Sequence, residues 1–104
     1  MSNSKRTTKE QLIRSIGREA KVDLRSVRLV YNTLEKRIRK LLEEVNKDQD
    51  AEIKIFDGIT VEGKYIPTET RINNLTGLEM EIKAKIRPHA KISRRYCERL
   101  NNKL

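Results

Sequence analysis

Hydrophobic residues recur at every third or fourth position in the first half of the chain, the spacing that places them on one face of an α-helix. Thr7 and Thr8 are both candidates for the N-cap of a first helix, because Glu10 and Gln11 follow them at capping-box distance. This helix is predicted to begin near Thr8 and to end near Ala20. The six residues before position 7 are short, polar and basic, and predict a flexible tail over 1–6.

The second predicted helix begins at the N-cap Asp23 and continues without Gly or Pro to about Asn46, roughly 22 residues or about 33 Å. Its hydrophobic stripe is longer than the first helix can cover, so it needs a further partner. Only 36% of the 104 residues are hydrophobic, and a core shared with a second copy would supply that partner. The predicted dimer interface consists of Val27, Val30, Tyr31, Leu34, Ile38, Leu41, Leu42 and Val45.

The second half of the chain alternates with period two, as expected of strands with one buried face. The pair Asp57-Gly58 predicts a turn between a first and a second strand. The residues from Leu78 to Ile86 alternate most regularly and predict a third strand, which Pro88 is expected to end. The sheet is therefore expected to cover 52–86.

A hairpin arm is predicted at about 64–77, with its tip near Asn74-Leu75, because asparagine and glycine at the tip tolerate turn conformations. Hydrophobic residues after Pro88 return to helical spacing and predict a terminal helix over 89–101. The predicted fold class is α+β. It has two N-terminal helices over 8–46, a three-stranded antiparallel sheet with a long arm, and a short C-terminal helix, in one domain over 1–104.

The charge is unevenly distributed. Residues 1–47 carry 13 Lys/Arg and 6 Asp/Glu, 48–82 carry 3 and 8, and 83–104 carry 8 and 1. The net charges of these segments are +7, −5 and +7, which together give the +9 of the whole chain. Such a basic surplus suits a polyanion, because each cation that neutralises a phosphate releases condensed counterions.

The sequence gives little support to catalysis, and no catalytic residue, cofactor, metal ligand or small-molecule substrate is predicted. His89 follows Pro88 without a carboxylate nearby in sequence, and Cys97 has no candidate base. Glu79 and Glu81 are typical of a solvated strand face, and the four glycines form no phosphate-binding loop. No apolar run is long enough to span a membrane, so no membrane association is predicted.

Several strings resemble the HU/IHF family of bacterial histone-like DNA-bending proteins, and the resemblance runs from about Thr8 to Leu100. The opening run Thr8–Ile13 resembles the family's first helix, and Val22-Asp23 with the following stripe resembles its dimerising helix. Asn73–Gly77, read as Asn-Asn-Leu-Thr-Gly, resembles the Asn-Pro-x-Thr-Gly tip of the family's arm. The correct spacing from this string to Pro88 makes the arm the most specific evidence.

The chain departs from the family at the arm. Asn74 stands where the family has a proline that wedges between base pairs, and Leu75 lies beside it. Ile66, Glu69 and Ile72 occupy positions that are often arginine in the family. These departures are typical of a divergent member, from a bacterial or a phage genome.

The resemblance implies an architectural protein that binds and bends double-stranded DNA as an intertwined homodimer, in the cytoplasm and associated with the nucleoid. A heterodimer with a paralogue is an open alternative. So are a site-specific recombination or replication factor, a protein-interaction module with reduced DNA affinity, and an RNA-associated protein. The predicted DNA-binding residues are Lys9, Lys64, Arg71, Asn73, Asn74, Leu75, Thr76, Lys83, Lys85, Arg87, Lys91, Arg94 and Arg95.

Overall fold

A computed structural model describes residues 4–102 and residue 104. Residues 1–3 of the predicted tail over 1–6 therefore lie outside the described residues. The fold is α+β, as predicted. The elements in chain order are α1 (Lys9–Ala20), α2 (Leu24–Glu43), β1 (Ala51–Phe56), β2 (Ile59–Ile66), β3 (Glu69–Ile72), β4 (Glu79–Ile82), β5 (Lys85–Ile92) and α3 (Arg94–Asn101). The chain divides into two compact units, Met1–Arg37 and Ile38–Leu104, and the single domain stays a prediction.

The first helix begins at Thr8, one of the two predicted caps. The Gln11 N–H donates to Thr8 Oγ1 at 3.2 Å, and the Thr8 N–H donates to Gln11 Oε1 at 2.9 Å, which completes a capping box. The helix ends at Lys21, whose left-handed backbone (φ 56°) stops the helical hydrogen bonding.

Asp23 caps the second helix through Ser26. The Ser26 hydroxyl donates to Asp23 Oδ1 at 2.8 Å, and the Ser26 N–H donates to Oδ2 at 3.0 Å. Both bonds favour the charged carboxylate and so lower the pKa of Asp23 below its ordinary value, the side-chain bond contributing most. The cap that the sequence predicted is therefore formed by a local four-residue hydrogen-bonding motif.

The unit Met1–Arg37 buries little hydrophobic surface. Ile13 and Val27 are its buried side chains among the described residues, whereas Val30 and Leu34 remain 68% and 43% exposed. A hollow of about 280 Å³ opens on this face, and its lining is almost entirely hydrophobic: Ile16, Ala20, Val22, Ser26, Val27, Val30, Tyr31 and Leu34. Half of the predicted dimer interface therefore lies around one exposed hydrophobic surface, which we call the apolar helical surface.

The unit Ile38–Leu104 contains a three-stranded antiparallel sheet with the order β1-β2-β5. The Asp57-Gly58 turn joins β1 to β2, as predicted. Alternate residues of β1 are half-buried, and Val45, just beyond the end of α2, is buried. Strands β3 and β4 pair only with each other and form a separate two-stranded sheet.

The third predicted strand, Leu78 to Ile86, is two strands in the structure, and the second of them ends later than predicted. The structure divides the alternating segment at Lys83-Ala84, so that β4 belongs to the arm and β5 to the main sheet. The arm sheet consequently runs from Glu69 to Ile82, so it both starts and ends later than the predicted 64–77. Alternation alone does not reveal this break, because the pattern of side chains continues through it.

Pro88 does not end the last strand. It lies in the middle of β5, opposite Gly63, and the strand continues to Ile92. Proline is tolerated because β5 is an edge strand, where a missing N–H donor can fall on the unpaired side. The terminal helix therefore begins at Arg94, after the N-cap Ser93, and not at the predicted position 89.

Candidate nucleic-acid interface

Strand β5 carries four polar, nitrogen-bearing side chains on one face. Strand residues two apart share a face, and all eight residues of β5 are exposed. The four are Lys85, Arg87, His89 and Lys91. Together with Lys64 of β2, they form what we call the basic sheet face. Four of its five members were predicted as DNA-binding residues. His89 was not, because the sequence placed it next to a helix and not within a strand.

The register between β2 and β5 brings two cations directly opposite each other. Lys64 pairs with Arg87 across the ladder, and opposite residues of an antiparallel pair lie about 5 Å apart at their Cβ atoms. Within the described residues, neither side chain forms an ion pair with a carboxylate. Like charges in this position repel each other, and an anion bound between them would relieve the repulsion.

The basic sheet face also contains a carboxylate between its cations. Glu62 lies opposite His89 in the ladder, and its Oε2 is 3.4 Å from His89 Nε2. Its other oxygen, Oε1, is 3.8 Å from Lys91 Nζ. The sequence predicted no role for Glu62, since a contact between β2 and β5 depends on the strand register.

The arm has two faces of different chemistry. Opposite residues share a face, so the pairs Ile72–Glu79 and Thr70–Glu81 form one face, which carries two carboxylates. The pair Arg71–Met80 lies on the other face. We call these the acidic arm face and the Arg71–Met80 face.

Hydrogen bonds and ion pairs on the Arg71–Met80 face support this assignment. Asn73 Nδ2 contacts Met80 Sδ at 3.9 Å, and Arg71 Nε lies 3.2 Å from Glu69 Oε1. The alternation also places Leu78 and Ile82 on this face, beside Met80. Glu69 lies opposite Ile82 on the same face, so this face combines hydrophobic side chains with one Arg71–Glu69 ion pair at the base of the arm.

The tip of the arm is held by its own side chains. Asn73 Oδ1 accepts from the Leu75 N–H at 2.9 Å, and Thr76 Oγ1 accepts from the Leu78 N–H at 3.3 Å. Gly77 has a φ of 71°, a conformation that favours glycine. Leu75 is 96% exposed at the end of this turn. Among the predicted DNA-binding residues, Asn73 and Thr76 therefore shape the turn, and Leu75 is presented to solvent.

The start of α3 is fixed against the β1–β2 turn. The Ser93 N–H donates to the Gly58 carbonyl at 2.8 Å, and the Tyr96 side chain lies directly over Gly58. A Cβ on Gly58 would be 2.4 Å from Tyr96 Cδ2, so only glycine allows this packing. Of the two predicted arginines on α3, Arg94 forms an ion pair with Glu98 at 3.3 Å, and Arg95 lines a hollow beside this turn.

The remaining two predicted DNA-binding cations lie outside these clusters. Lys83 is exposed in the link between β4 and β5. Lys9 belongs to the unit Met1–Arg37, where its Nζ lies 2.7 Å from Glu35 Oε2 and 5.8 Å from the centre of the Tyr31 ring. Lys9 is thus already paired, and its role in binding DNA stays a prediction.

Across 4–102 and 104, no three His, Cys, Asp or Glu side chains gather closely enough to hold a metal ion. No helix in this part of the chain is both long and apolar enough to cross a membrane. The exposed Cys97 has no disulfide partner among these residues.

Comparison with known proteins agrees with the fold. The sequence model of the family described as "Bacterial DNA-binding protein" matches residues 7–101. The chain belongs to this family of DNA-binding, histone-like proteins, and the predicted resemblance to HU/IHF proteins is confirmed. No curated protein matches the chain. The Anabaena HU–DNA cocrystal structure is similar in fold, with a TM-score of 0.65 and 16% sequence identity, over 90% of this chain and 97% of that one.

Proposed function

We propose that this protein is a non-enzymatic architectural protein that binds and bends double-stranded DNA as a dimer, with little sequence specificity, in association with the nucleoid. The observation that carries the proposal is the opposed pair Lys64 and Arg87 on the basic sheet face. Among the residues that the structure describes, neither cation has a carboxylate partner, and such a pair suits a phosphate oxygen. Contacts to phosphate position a protein without reading bases. The family membership and the HU–DNA neighbour support the same function.

The arm supports a role in distorting the duplex. Both walls of the minor groove carry phosphates, which repel Glu79 and Glu81 on the acidic arm face. The arm therefore enters the groove with its Arg71–Met80 face, and the exposed Leu75 reaches the base step at the end. A hydrophobic side chain inserted there partly unstacks the step and kinks the duplex.

The apolar helical surface supports dimerisation. Val30 and Leu34 are exposed around a hydrophobic hollow, and a second copy of the chain would cover both. A dimer also places two basic sheet faces on one duplex, which increases the number of phosphates contacted. Sedimentation at micromolar concentration tests this part of the proposal. A well-folded monomer would contradict it.

A gel-shift comparison tests the DNA-binding proposal directly. Linear, nicked and cruciform DNA are compared with an RNA duplex at two salt concentrations. We expect binding to all three DNA forms, a preference for nicked and cruciform DNA, and weaker binding at the higher salt, because phosphate contacts release counterions. Tighter binding to the RNA duplex than to any DNA would favour the RNA-associated alternative and contradict the proposal.

A protein-interaction module is the second candidate, and one observation favours it. The acidic arm face carries Glu79 and Glu81 in a segment whose net charge is negative. A module of this kind would keep the dimer but bind none of the DNA forms in the gel shift. The same experiment therefore separates the two candidates.

A further inference from the structure

Glu62 is a carboxylate within a surface of cations. It lies on β2, next to Lys64 along the same face and opposite His89 on β5. Its side chain is 19% exposed, compared with 46% for His89 and 69% for Lys91. The Glu62 side chain is thus the least exposed of the three.

The contacts of Glu62 with His89 and Lys91 are long electrostatic contacts, not close hydrogen bonds. The separations of 3.4 Å to His89 and 3.8 Å to Lys91 are at or beyond the limit of a hydrogen bond, so neither partner is held tightly. On the other side, Glu62 lies directly opposite Glu52 of β1, and like charges in that position destabilise a sheet. Stability of the sheet therefore does not explain a carboxylate at this position.

We infer that Glu62 is a built-in competitor for phosphate, which limits how tightly the basic sheet face holds DNA. This inference rests on the proposed function. The Glu62 carboxylate lies where a phosphate oxygen would contact Lys91 and His89, and it offers them the same kind of negatively charged oxygen. DNA must displace it from Lys91, and the released carboxylate then repels the incoming phosphate.

Two measurable consequences follow from the competition. The affinity of the protein for duplex DNA is lower than its number of cations would give. The salt dependence is also shallower, because a lysine that is already neutralised by Glu62 releases fewer counterions when it meets a phosphate. The duplex is held more weakly than the count of cations suggests, while the remaining cations of the basic sheet face still guide it.

The variant Glu62→Gln tests the inference, since glutamine keeps the shape of the side chain and removes its charge. We expect the affinity for a linear duplex to rise about fivefold near physiological salt, and the slope of log K against log salt to become steeper by about 0.9 for each chain. The matched control is Glu52→Gln, which makes the same charge change on the same face but one strand further from β5. Its affinity should rise less than about twofold.

A double-mutant cycle makes the test specific to the contact. Lys91→Gln should weaken DNA binding more in the Glu62→Gln background than in the wild type, because Lys91 is neutralised only when Glu62 is charged. Equal gains from Glu62→Gln and Glu52→Gln would show an effect of net charge alone and overturn the inference. Unchanged or weaker binding by Glu62→Gln would also overturn it. A wild-type protein that binds no duplex would instead overturn the proposed function.

Discussion

Two surfaces of this protein are exposed for opposite chemical reasons. The apolar helical surface leaves hydrophobic side chains such as Val30 and Leu34 in water, where they gain nothing from solvation. The basic sheet face leaves Lys64 and Arg87 in water, where both are well solvated but repel each other. A hydrophobic partner would stabilise the first surface, and an anion would stabilise the second.

This difference means that damage to the two surfaces should have distinguishable effects. Damage to the apolar helical surface should prevent assembly, and DNA binding should then be lost as a consequence. Damage to the basic sheet face should leave assembly unchanged and reduce only DNA binding. Variants that separate these two outcomes test whether the two surfaces have the roles assigned to them.

The largest effect is expected from Leu34→Asp on the apolar helical surface. Leu34 is 43% exposed in the single chain, and a second copy would bury this position. In the variant, the dimer would therefore bury the carboxylate that replaces the leucine side chain. Burial of an unpaired carboxylate costs several kcal/mol, comparable to the stability of a small domain. We expect loss of the dimer and of cooperative melting, measured by sedimentation and circular dichroism. Asn32→Asp, at an exposed position two residues away, is the control. Normal sedimentation of Leu34→Asp would contradict the assembly role.

The next largest effect is expected from the double variant Lys64→Gln/Arg87→Gln on the basic sheet face. Loss of two phosphate contacts should weaken duplex binding roughly twentyfold near physiological salt and reduce the salt slope by about 2 for each chain. Sedimentation and melting should not change. The control Arg18→Gln/Lys36→Gln removes the same charge from the other unit. An equal loss of affinity in this control would assign the effect to net charge.

A smaller and more selective effect is expected at the tip of the arm. Leu75 is almost fully exposed, so Leu75→Ser should change the free energy of unfolding by less than about 0.5 kcal/mol. It should reduce the bend of the duplex and the preference for nicked DNA, while affinity for linear DNA falls less. Energy transfer between dyes at the two duplex ends measures the bend. Leu104→Ser, the same change at a fully exposed position outside the arm, is the control. An unaltered bend in Leu75→Ser would exclude the wedge.

The smallest effect is expected from Asp23→Ala, which lies on neither surface. Because the pKa of Asp23 is lowered in the folded chain, its contribution to stability is full above about pH 4 and is lost as the pH falls further. The variant should melt at a lower temperature than the wild type at neutral pH, and the difference should shrink under acid conditions. DNA binding at neutral pH should not change. A difference in melting that is independent of pH would contradict the role of the charged cap.

The features that the sequence predicted well are those set by neighbouring residues. Thr8 and Gln11 lie three positions apart, and a capping box needs nothing else. The Asp23 cap and the Asp57-Gly58 turn are equally local. Because each of these depends on a few adjacent residues, the chain itself was enough to place them.

The features that the sequence missed depend on pairing between distant segments. Pro88 is tolerated only because β5 is an edge strand, and no local pattern shows which strand lies at an edge. Because the prediction ended that strand too early, it placed His89 outside the sheet. Without the register of β2 and β5, the contact between Glu62 and His89 had no signal in the sequence. The cations of the basic sheet face were predicted individually, but their arrangement was not.

Pro88 has a further consequence, for how the protein behaves when many copies crowd together. An edge strand with free backbone donors and acceptors can recruit a strand from another molecule and start an open-ended aggregate. Pro88 removes one donor from the β5 edge, and the register shift between Lys54 and Phe56 disturbs the β1 edge. Both edges of the sheet are therefore poor templates for strand addition. Two molecules bound close together on one duplex would then lack a ready strand edge through which to associate.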